Sequence, residues 1–313
     1  MPVSNILFIF LDGVGLGADD PAVNPLAAAE LPAFTRLLGG RRLLADTPRL
    51  ETERALFIPT DAGLGMAGPP QSATGQAAIL TGRNAPREVG GHWGPKPNAA
   101  VAALIERESL LARLAARGRR AALLSAYPPG YFTAIGTRRR NYSAVPLAFT
   151  RAGYRLMDLD DLRAGQAFSV DFTGHGWQSE LKIPDVPVLD PRAAGRQLAQ
   201  IARQYHFAFF EHWLTDYVGH RGTLAEGVRL LETLDAVLGG VLEAWDDEAG
   251  LLILTSDHGN LEDLRHRHHT RNAVPALAVG RARAALAGLN DLTGFAPAIL
   301  SLLDGPPAPA AVG

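Results

Sequence analysis

The chain has 313 residues, 30 Lys and Arg against 32 Asp and Glu, a net charge of −2, 47% hydrophobic residues and no cysteine. This composition is that of an ordinary globular protein and excludes a disordered or collagen-like chain, while the balanced charge leaves no footprint for a nucleic-acid backbone and makes a small molecule the expected partner. Without cysteine there are no disulfides, no Cys-ligated zinc and no thiol nucleophile, and a cytoplasmic setting fits best.

The opening MPVSNILFIFLDG lacks a basic n-region, and its apolar run is too short for a membrane span, so Ile6 to Leu11 reads as a buried strand and no membrane partner is expected. Further along, TDAGLGMAGPPQSATGQAAILTGR reads as a turn leading into a short helix, with Ser72 beside the helix N-terminus. Free N–H groups and the positive end of the dipole attract an anion there; the plainer reading is that Ser72 or Thr74 caps the helix. Apolar runs at Ala121 to Ser125, Phe207 to Trp213, Leu251 to Thr255 and Val274 to Val279 suit strands buried on both faces. Between them lie helix-like stretches such as AAVAALIERESLLARLAARG, DPRAAGRQLAQIARQY and LAEGVRLLETLDAVLGGVLEAW. Alternating strands and helices imply an α/β fold with a largely parallel central sheet flanked by helices. From about Gly130 to Pro191 the pattern gives way to YPPGYF, DLDDLRAG and DFTGHGW, so the expected organisation is a core of residues 1–130 and 191–313 with an inserted cap or substrate-specificity region at 131–190. The basic runs RGRR and TRRRNY read as solvated surface, and the Pro/Ala-rich tail from Gly305 as frayed.

Asp12 follows the first strand, Asp216 follows FAFFEHWLT, and Asp257 with His258 follows LLILTS. In open α/β sheets the ligand crevice lies outside the carboxyl ends of the strands, so these residues are expected to converge. Asp216 and His220 are four apart, on one face of a helical turn, and HRHHTRNAVP adds His266, His268 and His269 before another strand. Each alone reads as a cap, a turn residue or a hydrogen-bonded histidine. Together, carboxylate and imidazole without thiolate suit Zn²⁺ or Mn²⁺. Two such ions would activate a serine hydroxyl for attack on a phosphate ester, whose hydrolysis is among the slowest uncatalysed reactions. His92 in GGHWG and His175 in DFTGHGW, each near Gly and Trp, are weaker candidates for substrate contacts, and packed loops explain them as well.

FIFLDGVGLG, QSATGQAAILTGR, DYVGHRG, TSDHGN and HHTRNAVP stand in the order of five motifs of the alkaline phosphatase superfamily of metalloenzymes. The chain resembles in particular its cofactor-independent phosphoglycerate mutase and phosphopentomutase branch, with a more distant likeness to nucleotide pyrophosphatase/phosphodiesterases and sulfatases. The resemblance covers the core and skips the insertion. It implies that Asp216, His220 and His269 hold one metal, that Asp12, Asp257, His258 and the Ser72 hydroxyl hold the other, and that Ser72 becomes phosphoserine. Where the mutase branch carries a His, this chain has Gln76. The expected activity is two-metal hydrolysis of a small phosphate ester; the alternatives are a phosphomutase acting on a sugar phosphate or phosphoglycerate, and a metal-binding protein without turnover.

Overall fold

The computed structural model describes residues 3–304, so the tail from Gly305 lies outside them. Seven strands form one sheet: β1 Asn5–Leu11, β2 Leu50–Glu51, β3 Ala55–Thr60, β4 Ala121–Leu123, β5 Phe207–His212, β6 Gly250–Ser256 and β7 Val274–Val279. Their order is β2-β3-β7-β6-β1-β5-β4. β1 runs parallel to β5 and β6, and β4 parallel to β5, whereas β7 is antiparallel to both β6 and β3, and β2 to β3. The five strands legible as apolar runs are all present. β3 escapes that reading because Pro59, its one partly exposed position, interrupts it, and β2 is only two residues long.

Every residue of β1, β5 and β6 is buried, because helices cover both faces of the sheet. Ile6, Phe8, Phe10, Phe207 and Phe209 pack on the side of the helix Ser72–Thr81, with Phe8 stacked on Phe209 at 4.9 Å. Leu7, Ile9, Leu11, Ala208 and Phe210 face the helices Pro191–Ala202 and Leu224–Ala244. Burying one such large side chain is worth about 1.5–3 kcal/mol, so a one-residue slip of β1 would reverse several of these contributions at once. The same two-residue alternation carries Asp12 and Asp257 past the strand ends toward the Ser72 side.

Ser109 interrupts the long helical run between β3 and β4: its Oγ accepts the Ala112 N–H at 3.3 Å and starts a second helix, Leu110–Ala116. Four short helices, Pro129–Gly136, Ala144–Arg151, Leu159–Arg163 and His175–Ser179, occupy the stretch between β4 and β5. Val145, Ala148 and Phe149 of this stretch pack into the same apolar cluster as β1 and β5.

On the opposite face the buried Asp235 accepts N–H bonds from Ala33 at 3.0 Å and Phe34 at 2.9 Å, closing the start of the helix Pro32–Leu37. Asp235→Ala leaves both donors unpaired, and urea unfolding should show a loss of roughly 1–3 kcal/mol.

Candidate metal centre

Ser72 opens its helix, but Gln71 holds the cap position, and the Ser72 Oγ instead lies 3.0 Å from His258 Nε2. The Thr74 N–H already donates to Trp93 O at 3.1 Å, so the N–H groups of Ser72 and Ala73 are the ones left for an anion at this terminus. Asp12 follows β1, where its own N–H continues the ladder to His212 O and its carbonyl accepts the Thr215 hydroxyl at 2.5 Å. Gly13 then turns with φ +72°, and a Cβ there would meet Asp216 Oδ1 at 2.7 Å, so the approach of the two loops requires glycine.

Around Ser72 lie Asp12, Asp257 and His258. His258 Nε2 is 3.2 Å from Asp12 Oδ1 and 3.7 Å from Asp257 Oδ2. Gln76 Nε2 donates to Asp257 Oδ2 at 3.1 Å and to Asp12 Oδ2 at 3.4 Å, which makes it the group that aligns the two carboxylates. A second set adjoins it. Asp216 Oδ1 is 3.4 Å from His220 Nε2 and 3.6 Å from His269 Nε2, and the two Nε2 atoms are 3.1 Å apart. The four-residue spacing of Asp216 and His220 is realised on the helix Leu214–Arg221.

The ring of His258 stacks on that of His269 at 3.7 Å and belongs to both compact donor groups, Asp12–Asp257–His258 and Asp216–His258–His269. His220, His258 and His269 each direct Nδ1 at a backbone carbonyl, of Arg267, Gly259 and Pro70 respectively. A carbonyl only accepts, so Nδ1 carries the proton and Nε2 faces the centre, the arrangement that metal-ligating imidazoles use. Burial lowers the basicity of His258, but Asp257 and Asp12 outweigh it and raise the imidazole to about 10. Burial, followed by the neighbouring His258, lowers His269 to about 4.

This donor set fits divalent cations. Among the described residues Asp12 Oδ1 and Asn260 Oδ1 are buried without a hydrogen-bond partner, and oxygen and imidazole donors without sulfur converge within 4.8 Å in each group.

Sequence reasoning missed the residues that hold the donors. Glu262 is buried and accepts from Gly15 N at 2.9 Å, Asn260 N at 2.8 Å, Asn272 Nδ2 at 3.0 Å and the Thr270 hydroxyl, tying three loops together. Asn260 Nδ2 donates to Asp216 Oδ1 at 2.7 Å. The one signal in the sequence is an acid six positions past a strand, in a segment with Gly259 and Asn260. His266 and His268 stay exposed. His175 is exposed and lines, with Asp171, a groove that shares Tyr217 and Arg221 with the one beside Asp12 and Asp216, while His92 is half-buried, with an Nε2 that has no partner among the described residues and a basicity lowered chiefly by burial.

A family model described as Metalloenzyme superfamily matches residues 190–303, the segment holding Asp216, His220, Asp257, His258 and His269. A 2,3-bisphosphoglycerate-independent phosphoglycerate mutase of Thiobacillus denitrificans is 35% identical over 115 residues, which is 34% of this chain and 22% of that enzyme. The enzyme of the same name from Methylobacillus flagellatus is 31% identical over the same shares. The match thus spans under a quarter of the length of these relatives. Among solved structures, the alkaline phosphatase of the Antarctic bacterium TAB5 superposes with a TM-score of 0.58 at 13% identity, over 97% of this chain and 99% of that one. The PH0037 protein of Pyrococcus horikoshii superposes with a TM-score of 0.57 at 15% identity, over 97% and 98%. Residues 190–303 thus carry the match to the Metalloenzyme superfamily, and the chain has an alkaline-phosphatase-like fold.

Proposed function

We propose that the protein is a metal-dependent phosphoryl-transfer enzyme that works through Ser72. The observation that carries this reading is the Ser72 hydroxyl, buried and 3.0 Å from His258 Nε2, at the meeting point of the two donor groups. In the proposed allotment Asp216, His220 and His269 hold one divalent ion and Asp12, Asp257, His258 and Ser72 the other, with Zn²⁺ and Mn²⁺ the candidates. Ions bound there would supply the positive charge that favours a deprotonated serine and offsets charge on the transferred phosphoryl group.

The chain's own residues do the rest. Gln76 fixes the two carboxylates, the carbonyls of Pro70, Gly259 and Arg267 fix the imidazoles, and the N–H groups of Ser72 and Ala73 face the phosphoryl oxygens. Ser72 Oγ gives up its proton and bonds to phosphorus as the bond to the ester oxygen breaks; the alcohol leaves with a proton, and phosphoserine remains. A second displacement, by a hydroxyl or by water, restores the serine.

The named relatives weigh toward a hydroxyl as the acceptor, hence a phosphomutase. Hydrolysis is the second reading, favoured by the exposed Trp213 and Tyr217 that leave the groove beside Asp12 and Asp216 open to water. Residues 131–190 are proposed to set substrate choice, and the cytoplasm remains the proposed location.

The test is turnover of 4-nitrophenyl phosphate by protein reconstituted with Mn²⁺ or Zn²⁺, beside Ser72→Ala. The expected loss in kcat is at least about 10³-fold. Phosphate released one-for-one with nitrophenol identifies water as acceptor. A phosphate shortfall with added alcohols, or interconversion of 3- and 2-phosphoglycerate, identifies a hydroxyl. Turnover that survives in Ser72→Ala overturns the nucleophile, and metal binding without turnover of any ester supports a non-catalytic metal-binding protein.

A further inference from the structure

We propose that a cavity of about 660 Å³ beside the metal centre binds the alcohol portion of the ester, and that it selects a planar apolar group carrying a hydrogen-bond donor. This rests on the phosphoryl-transfer reading of Ser72 and names the substrate class for that site.

Position is the first argument. The cavity lies at the carboxyl ends of β4 and β5, the edge at which β1 and β6 present Asp12 and Asp257. Trp213 is common to this cavity and to the groove formed by Asp12, Asp216 and His220. Glu211, inside the cavity, stands opposite Phe10 in the β1–β5 ladder, two residues before Asp12. A group leaving phosphorus at Ser72 therefore has this space next to it.

The walls are the second. Tyr127, Tyr131, Trp177 and Trp213 line the cavity, and Trp213 and Leu181 are each 45% exposed, an apolar rim left open by the described residues. Its size and apolar lining suit a small organic ligand. Aromatic walls favour a flat partner stacked on or edged against them.

The polar groups are the third. Glu211 is 6% exposed, and among the described residues its carboxylate accepts only from the Tyr127 hydroxyl. Burial pushes this carboxyl up to about 7. Tyr131 is 8% exposed, and its hydroxyl is buried with no partner among the described residues. Buried polar groups are almost always paired, so a free hydroxyl and a half-satisfied acid in one cavity are where a ligand would bond. Glu211 calls for a donor, an amino or hydroxyl group.

Charge excludes the alternative. Among the described lining residues, one is a cation, Arg140, packed 4.9 Å over the Tyr131 ring, and three are acids: Asp171, Glu180 and Glu211. Such a lining disfavours a second phosphate or a carboxylate, so a phosphoglycerate, which has a hydroxyl but also a carboxylate and no planar apolar surface, fits it poorly.

The experiment separates this inference from the reading beneath it. By calorimetry on the intact protein, tyramine should bind at least about tenfold more tightly than 4-ethylphenol, which lacks the amino group, and glycerate should not bind. Glu211→Gln should bring the two phenols within about threefold of each other. Should Glu211→Gln fail to fold, Tyr131→Phe, which removes only the hydroxyl, should still cut the tyramine preference severalfold. Equal affinity of the two phenols for the wild type, or tighter binding of glycerate, overturns the proposal whatever the turnover. With the phosphate esters of both phenols, a kcat/KM ratio of about ten or more that falls toward one in Glu211→Gln supports proposal and reading together. Selective binding of tyramine with no turnover of either ester keeps the cavity and overturns the Ser72 reading.

Discussion

Gly195→Ala should destabilise the protein by about 3 kcal/mol or more, against the general rule that replacing a helical glycine with alanine gains up to about 1 kcal/mol. A Cβ at Gly195 would stand 1.9 Å from Val237 O and 2.8 Å from Val241 N; one at Gly240 would stand 2.0 Å from Arg192 O. The helices Pro191–Ala202 and Leu224–Ala244 therefore meet backbone to backbone. The obstructing atoms are main-chain atoms of a helix interior and have no rotamer to swing into. To admit a methyl group the helices must separate, which loosens Ala194, Leu198, Val237 and Val241 together, all of them in the core beneath β1 and β5. Sterics thus outweigh propensity at this position. Urea or thermal unfolding of the variant checks it, and an increase in stability would show that the helices do not approach this closely.

Saturating Mn²⁺ or Zn²⁺ should raise the stability of the chain by about 4 kcal/mol at 1,000 times the dissociation constant, and a chelator should reverse the gain. The folded chain gathers Asp12, Asp216, Asp257 and the imidazoles of His258 and His269 into two compact groups, with His220 3.4 Å from Asp216, whereas in the unfolded chain these residues are spread over more than 250 positions. A cation that needs several of them at once binds the native state and has little hold on the unfolded one. Asp257→Ala should lose most of the metal-dependent shift in melting temperature; His175→Ala, away from both groups, should keep it. A shift of the same size in Asp257→Ala would place the ion elsewhere.

What was legible in the sequence follows from physical rules with short range. Apolar runs bounded by polar residues announced β1, β5, β6 and β7, and the position of Asp12 and Asp257 just past such runs announced the edge of the sheet at which they meet. β3 was hidden by Pro59, and the break at Ser109 by an unbroken apolar period around it. Of the histidines in HRHHTRNAVP, the family motif favoured His269, the one the fold turns inward while His266 and His268 remain in solvent. Glu262 and Asn260 were not legible, and Gln76 only as a departure from the mutase branch, because their work is hydrogen bonding between segments far apart in the chain: the bond from Gly15 to Glu262 spans 247 residues. Glu211 stood in plain view as an acid within FAFFEHW, yet its meaning depends on Tyr127 and Tyr131, which only the folded chain brings to it.

The anchoring of the three imidazoles by backbone carbonyls has an evolutionary side. Every residue type except for its side chain offers the same carbonyl, so the positions of Pro70, Gly259 and Arg267 carry their anchoring role in the path of the main chain. Drift in side-chain identity along these loops leaves the anchors in place. A one-residue insertion or deletion moves a carbonyl by a full 3.8 Å step and takes an imidazole with it. Around this centre the constraint on sequence is therefore chiefly a constraint on the length of the loops that carry the anchors, and related chains are free to diverge in the composition of those loops while keeping their length.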